Sequence, residues 1–251
     1  MKNVLAVLST SAVAVLLLYV VALLPPMGDA GNPTNLNVVP RYLEHGEQEA
    51  GTGNIVTGIL LNYRGYDTMG EVAIICAASA GVLAVLGAGK KKGTHTFVDR
   101  SSVKLSFIIR TAVIFLIPLI ILFSIFTILY GTILPGGGFQ GGAIIGAGII
   151  IFTIVFGFHE ATNRIHTRFM TILGSTAIVA FFLVGTAGVI GGANFLTYIL
   201  PQLSTQAQPA VRTLMLLVVQ FGIGIEVGMI FTSIFFALLR EEETNDVEHA
   251  R

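Results

Sequence analysis

Six long apolar runs divide this chain, and they constrain its fold more than any other feature. They cover about residues 4–24, 68–89, 107–130, 140–158, 169–190 and 213–239. Each run approaches or exceeds the ~20 residues that an α-helix needs to cross the ~30 Å hydrocarbon core of a bilayer. Only 11% of the residues are charged, against about 25% in a typical soluble protein. The sequence therefore predicts an all-α integral membrane protein with about six transmembrane helices.

The first run needs separate treatment because an N-terminal apolar segment can also be a cleaved signal peptide. Lys2 precedes 21 apolar-rich residues, which is longer than the usual core of a signal peptide. Pro25 and Pro26 then stop the helix, and the residues after them make a poor cleavage site. We therefore expect an uncleaved first transmembrane helix.

Basic residues predict the orientation in the membrane. With six spans and an inside N-terminus, eleven Lys and Arg residues fall on the cytoplasmic side and three on the outer side. The three outer residues are Arg41, Arg64 and Arg212. We expect both termini to be cytoplasmic and the protein to be a multi-pass protein of the cell membrane.

The connections between the runs suggest two modules. Residues 1–90 form a predicted two-helix module, residues 91–105 a polar linker that follows Lys90, and residues 106–240 a four-helix module. Residues 28–53 are predicted to be a surface loop, and residues 54–63 a short amphipathic run. Residues 241–251 form a polar tail that we expect to be frayed.

Several function classes are excluded by composition. Cys76 is the single cysteine, so this chain alone cannot hold a disulfide, a cysteine-based zinc site or an iron–sulfur cluster. The sequence has no basic face with interleaved aromatic residues, so it gives no indication of nucleic-acid binding. We expect no metal and no cofactor in this chain, and any redox chemistry would belong to a partner subunit.

Arg64, Asp67 and Glu71 form the first candidate site. Residues three and four apart share one face of a helix, and Glu71 begins a long apolar run. A carboxylate at membrane depth is costly and usually functional, so the three groups could exchange protons or ions. Two structural interpretations stay open: Thr68 and Glu71 fit a helix-capping box, and Arg64 and Asp67 fit an interfacial salt bridge.

Glu226 is the second candidate, because it lies at the midpoint of the sixth apolar run. A charge at the centre of a membrane costs about 2.5–3.5 kcal/mol on insertion scales. It should therefore be neutral, paired or turned toward water inside a complex. Gly224 and Gly228 lie on another face with Gln220, and that face suits close helix packing. We favour a role in ion or proton movement over a purely structural hydrogen bond.

His159 opens a charged connection between the fourth and fifth runs. A zinc-protease motif would need a second histidine at position 163, where Asn163 stands. Glu160 and Arg164 are spaced as an i,i+4 ion pair. We interpret this segment as a solvated helix end, with proton collection by His159 as the alternative.

A glycine-dense turn lies between the third and fourth runs. It contains Pro135, Gly136, Gly137, Gly138, Phe139 and Gly142. No Gly-Lys-Ser/Thr follows, so a nucleotide site is not expected. The glycines favour a tight turn and close helix approach, and Gly138, Gly142 and Gly146 continue a predicted small-residue seam.

Two strings resemble known families. The string Leu134-Pro135-Gly136-Gly137-Gly138-Phe139-Gln140-Gly141-Gly142 resembles the signature of the B subunit of Mrp-type multisubunit Na⁺/H⁺ antiporters, over roughly residues 105–240. The string from Asn54 through Arg64-Gly65-Tyr66-Asp67-Thr68-Met69-Gly70-Glu71 resembles the C-terminal part of the large A subunit, which is a small separate subunit in archaeal membrane-bound hydrogenases.

The resemblance implies a non-redox subunit of a membrane arm that moves Na⁺ and H⁺, with the other subunits of the complex as partners. Glu71 matches the acidic residue to which the family assigns ion or proton transfer, whereas Asn62 stands where an acidic residue is expected. Two alternatives stay open: a membrane subunit of a hydrogenase or sulfur reductase, and a purely architectural subunit. The sequence shows no inverted repeat, which argues against a self-sufficient transporter.

Overall fold

The computed structural model describes residues 2–88 and 106–249, and nearly all of its regular structure is helical. The helices are α1 (Lys2–Ala22), α2 (Val39–Ala50), α3 (Ile55–Thr57), α4 (Gly65–Ala88), α5 (Phe107–Leu129), α6 (Gly138–Phe156), α7 (Phe158–Arg164), α8 (Thr167–Ile190) and α9 (Gln208–His249). Short π-helical turns at Thr34–Val38 and Gly58–Tyr63 and a 3₁₀ turn at Tyr130–Thr132 join some of them.

Six of the described helices are long and apolar enough to cross a membrane. They are α1, α4, α5, α6, α8 and α9. The predicted fold class, an all-α membrane protein with about six transmembrane helices, is confirmed. The orientation of the termini and the division into modules at residue 90 stay predictions, and the proposed linker at residues 91–105 lies outside the described residues.

The chain divides into two compact units, residues 1–45 and 46–251. In the first unit, the described side chains of α1 are exposed along its whole apolar span. After Pro25 and Pro26 a turn is held by the Asn35 side chain, whose amide donates to the Asp29 carbonyl oxygen at 3.1 Å.

α9 is the central helix of the second unit and packs against α4, α5, α6 and α8. Its apolar side chains form the main core together with residues of the turn at Gly58–Tyr63, of α4 and α8, and of the loop before α9. The buried members include Leu61, Val72, Phe181, Leu196, Tyr198, Leu216, Val219, Ile223 and Val227. Because α9 contacts four other helices, 56% of its most apolar 18-residue window is buried inside the protein.

α6 and α9 run parallel and approach so closely that their backbones touch. Gly138, Gly142 and Gly146 of α6 face successive turns of α9 around Gln220, Gly224 and Gly228. A Cβ atom on Gly142 would lie 2.5 Å from the Gly224 carbonyl oxygen and 3.0 Å from the Gly224 Cα. The predicted small-residue seam is confirmed, and the glycines predicted on α9 form its other side.

Two polar segments differ from the sequence-based expectation. Part of the expected loop at residues 28–53 is α2, and the tail that was expected to be frayed continues α9 as a helix to His249. The charged connection from His159 contains α7, in agreement with its interpretation as a helix end. These segments are rich in Glu, Arg, Gln and Ala, which are strong helix formers. Hydropathy identified them as polar but carried no information about their backbone.

Candidate ion-path residues and the glycine turn

Glu226 lies inside the bundle rather than on its surface. Its side chain is 2% exposed, and neither carboxyl oxygen has a hydrogen-bond partner among the described residues. A buried carboxylate without a partner is very costly, so a neutral acid or a carboxylate compensated by an entering cation fits this position. The sequence-based prediction that Glu226 is not a solvated surface charge agrees with this placement.

The face of α9 that carries Glu226 is the face that meets α8. Gly222 precedes Glu226 by one turn, and a Cβ on Gly222 would lie 3.2 Å from the Ala177 carbonyl oxygen of α8. The glycine seam with α6 lies on the opposite side, since Gly224 is rotated by about 200° from Glu226. The carboxyl group is therefore separated from the seam by the body of α9 itself.

Gln220 is a second buried polar residue of α9, which the sequence analysis treated as a packing residue. It is 1% exposed, and neither its Oε1 nor its Nε2 has a partner among the described residues. Its Oε1 lies 2.6 Å from the position that a Cβ on Gly131 would occupy, beside Gly137 at the start of α6. The only signal in the sequence for the burial of Gln220 is its position inside a long apolar helix.

The glycine turn provides the space for this arrangement. Gly137 has φ +146°, a backbone conformation that residues with a side chain rarely adopt. α6 then begins at the same level along the bundle as Gln220. Gln220 lies 12 residues, or about 18 Å, from Gln208, the first residue of α9. The structural interpretation of Pro135, Gly136, Gly137, Gly138, Phe139 and Gly142 therefore agrees with the observed turn and helix contact.

The cluster at the start of α4 is only partly brought together. Arg64 Nε donates to Asp67 Oδ2 at 2.6 Å, and both side chains are about half exposed, at 57% and 50%. Glu71 lies one turn later on an exposed face of α4, whereas the adjacent Val72 is buried in the core. The salt bridge is confirmed, and Glu71 is directed away from the interior of this chain.

The capping-box interpretation of Thr68 and Glu71 is wrong. α4 begins at Gly65, so Thr68 lies inside the helix rather than at its N-cap. Its hydroxyl donates to the Leu60 carbonyl oxygen at 2.6 Å, and the residue is 1% exposed. Thr68 therefore joins α4 to the preceding helical turn, which leaves Glu71 without a capping role.

His159 lies in α7, the short helix between α6 and α8. Beside it, Arg164 Nε donates to Glu160 Oε1 at 2.8 Å, with both side chains well exposed. The predicted i,i+4 ion pair is confirmed. Such exposed pairs contribute well under 1 kcal/mol, so the pair gives α7 modest support.

Tyr198, in the loop before α9, is a third buried side chain whose polar group has no hydrogen-bond partner among the described residues. Burial raises the pKa of its hydroxyl above the usual range, so the group stays neutral. We expect Tyr198→Phe to leave the free energy of unfolding unchanged or to raise it slightly, because an unpaired buried hydroxyl is removed. Thermal melting of the purified protein in detergent measures this, and a large fall in the melting temperature would contradict it.

Among residues 2–88 and 106–249, no group of three or more His, Cys, Asp or Glu side chains could hold a metal ion. Cys76 is half-buried on α4 and forms no disulfide. What the described part of the chain offers is isolated carboxyl groups, one buried at Glu226 and one on the outward face at Glu71. Such groups can bind and release a proton or a monovalent cation.

Comparisons with protein families match both parts of the chain. Residues 108–233, half of the chain, match the family described as a domain related to the MnhB subunit of Na⁺/H⁺ antiporter. Residues 2–90 match the MbhE family, which is described as one of the subunits of MBH. Both resemblances noted in the sequence are thereby confirmed.

Individual relatives and structures agree with the family matches. A protein of uncharacterised function from Methanocaldococcus jannaschii is 30% identical over 57% of this chain and 59% of its own length. A probable K⁺/H⁺ antiporter protein from Rhizobium meliloti, described as an A/B subunit, is 29% identical over 66% of this chain. This chain spans 18% of that longer protein, so it corresponds to one part of it.

A solved structure matches along nearly the whole chain. It is the membrane-bound sulfane sulfur reductase, an archaeal respiratory membrane complex. One of its chains is 29% identical, with a TM-score of 0.65, over 95% of this chain and 98% of the other. The arrangement of helices described above therefore occurs inside a multisubunit membrane complex.

Proposed function

This chain belongs to the family of domains related to the MnhB subunit of Na⁺/H⁺ antiporters, and from that premise we propose that it is a non-redox membrane subunit of an antiporter-type complex. In this role it contributes to a cation or proton path and to assembly of the membrane arm. It holds no cofactor of its own and catalyses no reaction. Na⁺ and H⁺ are the transported ions, and the other subunits and the bilayer are its partners.

The observation that carries this proposal is the state of Glu226. Its carboxyl group is enclosed by α9 and its neighbours, and neither oxygen has a partner among the described residues. A group with only a structural role would be stabilised by a donor, because an unpaired buried polar group lowers stability. An ion-path role explains why the acid is retained, since it must exchange its proton or cation.

The other proposed path residues lie toward the surface of the chain. Glu71 faces outward on α4, Asp67 lies one turn before it, Arg64 immediately precedes the helix, and His159 lies on α7. Outward-facing carboxyl groups on an apolar helix are suited to contact with a neighbouring subunit. We propose that Glu71, Asp67 and Arg64 form the point at which ions or protons pass between this chain and that neighbour, and that His159 collects protons.

Glu71→Gln should reduce cation-dependent proton transport at least tenfold, because the amide can neither release a proton nor bind a cation. The assay uses the assembled complex in inside-out vesicles and follows a pH-sensitive dye after Na⁺ addition. Glu160→Gln is the matched control: the same change at an exposed carboxylate that pairs with Arg164. We expect the control to transport at the wild-type rate.

The proposal fails for Glu71 if the Glu71→Gln complex assembles in normal amount and transports like the control. That result would favour the architectural alternative, in which this chain only holds neighbouring helices in place. All of the subunits in the purified material are quantified, so that a loss of transport caused by incomplete assembly is recognised as such.

The second candidate is a membrane subunit of a redox complex, a hydrogenase or a sulfur reductase. The likeness to a sulfane sulfur reductase chain over 98% of its length favours it. Affinity purification of this chain with its bound partners separates the two candidates. Co-purifying nickel or iron–sulfur subunits indicate the redox complex, and their absence from an otherwise complete, transport-active assembly indicates the antiporter.

A further inference from the structure

The turn that joins α5 to α6, residues 130–137, has a further neighbour besides α6 and α9. Where α5 ends, its last carbonyl oxygens lack partners within the helix, as at every helix C-terminus. Here the carbonyl oxygens of Gly131, Thr132 and Leu134 lie at the turn, with Gly131 and Thr132 buried. A buried carbonyl oxygen without a hydrogen-bond donor is destabilising, above all in an apolar environment.

All three carbonyl oxygens accept hydrogen bonds from the segment around α3. The Asn54 backbone N–H donates to Thr132 at 3.0 Å, and the Asn54 side-chain amide donates to Gly131 and to Leu134, both at 2.8 Å. The Thr57 hydroxyl donates to Gly131 at 2.6 Å. These bonds join residues that are 74 to 80 positions apart in the sequence.

Asn54 performs two separable tasks with its two side-chain atoms. Its Oδ1 is the N-cap of α3 and accepts from the Val56 N–H at 3.0 Å and the Thr57 N–H at 3.5 Å. Its Nδ2 makes the two bonds to the turn. The Thr52 hydroxyl donates to the Asn54 carbonyl oxygen at 2.7 Å, which fixes the backbone there. The side chain is therefore held ready for the turn by local bonds.

An apolar contact continues this polar junction. Leu61 and Val72 lie in the same buried cluster as Leu216 and Val219 of α9. At its edge, Arg212 Nη1 donates to the Gln48 carbonyl oxygen at 3.3 Å, close to the end of α2. Residues 48–72 thus present a continuous surface to the turn and to α9, polar at one end and apolar at the other.

We propose that residues 48–72 form a docking surface that holds residues 46–88 to residues 106–239 without the covalent connection between them. The occupant of this surface is the turn at residues 130–137, through the carbonyl oxygens of Gly131, Thr132 and Leu134, together with the facing side of α9. The Asn54 side-chain amide is the specific element, because its two donors satisfy carbonyl oxygens that no other described side chain except Thr57 reaches. The proposal concerns assembly and is independent of ion movement.

The test cleaves the polypeptide between residues 88 and 106 after the protein has folded. A protease site is inserted within residues 91–105, the full-length chain is purified in mild detergent, and the intact protein is then cleaved. Size-exclusion chromatography and gel electrophoresis measure the fraction of the two pieces that still elute together. We expect the cleaved wild-type protein to elute as one species at the position of the uncleaved protein.

Asn54→Asp is the decisive variant, because aspartate is as good an N-cap as asparagine but cannot donate to the turn. It leaves the Gly131 and Leu134 carbonyl oxygens facing a carboxylate, so co-elution of the pieces should fall at least tenfold relative to cleaved wild type. Asn35→Asp is the matched control: it makes the same change of side chain and removes only the local bond from Asn35 to Asp29, within residues 1–45. Its pieces should co-elute like those of the wild type.

Thr57→Val removes a single bond to the turn and should give an intermediate loss of co-elution. This variant keeps the test decisive if the Asn54→Asp chain does not accumulate. Pieces of the wild type that separate on cleavage would overturn the proposal, as would Asn54→Asp and Thr57→Val pieces that co-elute as well as the control.

Discussion

Glu226→Gln should lower cation-coupled proton transport by at least about a hundredfold while the complex still assembles. Glutamine has nearly the shape of glutamic acid, so the packing of α9 against α8 is retained. The amide cannot release a proton or carry a negative charge, and it occupies a site where the carboxyl oxygens have no donor among the described residues. The measurement is the initial rate of Na⁺-driven proton movement in vesicles, normalised to the amount of assembled complex.

Glu226→Asp supplies the matched comparison for this prediction. It keeps the acid but shortens the side chain by one methylene, so partial transport is expected rather than loss. If Glu226→Gln transports normally in a fully assembled complex, the path does not pass through this residue. Transport that is lost equally in Gln and Asp variants, with reduced assembly in both, would identify a packing role instead.

Gly142→Ala should destabilise the protein by about 1–3 kcal/mol, the range typical of overpacked cores. The new methyl group would lie 2.5 Å from the Gly224 carbonyl oxygen and 3.0 Å from its Cα, and these are backbone atoms that no rotamer change can move. α6 and α9 would have to separate along the seam. A lower melting temperature in detergent and a smaller yield of assembled complex measure the effect.

Gly174→Ala is the control for this substitution. Gly174 also lies inside a long helix, α8, but nothing lies within 4 Å of the position its Cβ would take. Alanine favours helix over glycine by up to ~1 kcal/mol, so this change should be neutral or slightly stabilising. Equal melting temperatures for the two alanine variants would refute the steric account of the seam.

The membrane-spanning helices were predictable from the sequence because length and hydropathy are local properties. The predicted run at residues 107–130 corresponds to α5 at Phe107–Leu129, and the run at 169–190 to α8 at Thr167–Ile190. The seam was predictable for a similar reason. Glycines at every fourth position mark a face for close packing, and Gly138, Gly142 and Gly146 do lie on such a face.

The features that escaped prediction depend on residues distant in the sequence. Nothing near Asn54 indicates that its amide bonds to a turn almost 80 residues later. Thr68 matched a capping box because the four-residue pattern carries no information about whether a helix has already begun upstream. Gln220 resembled an ordinary packing residue, since only the enclosing helices show that its amide has no partner among the described residues.

The periodicity of the glycine seam has a mechanical consequence. Sliding α6 along α9 by one helical turn would bring Gly138 beside Gly224 and Gly142 beside Gly228, so glycine would again face glycine. The repeat therefore resists small displacements but does not by itself distinguish one alignment from the next. The alignment is set just before the repeat begins, at Gly131, Thr132 and Leu134, whose carbonyl oxygens accept hydrogen bonds from Asn54 and Thr57. Those few hydrogen bonds select one alignment of α6 on α9 from the several that the repeating glycine contact allows.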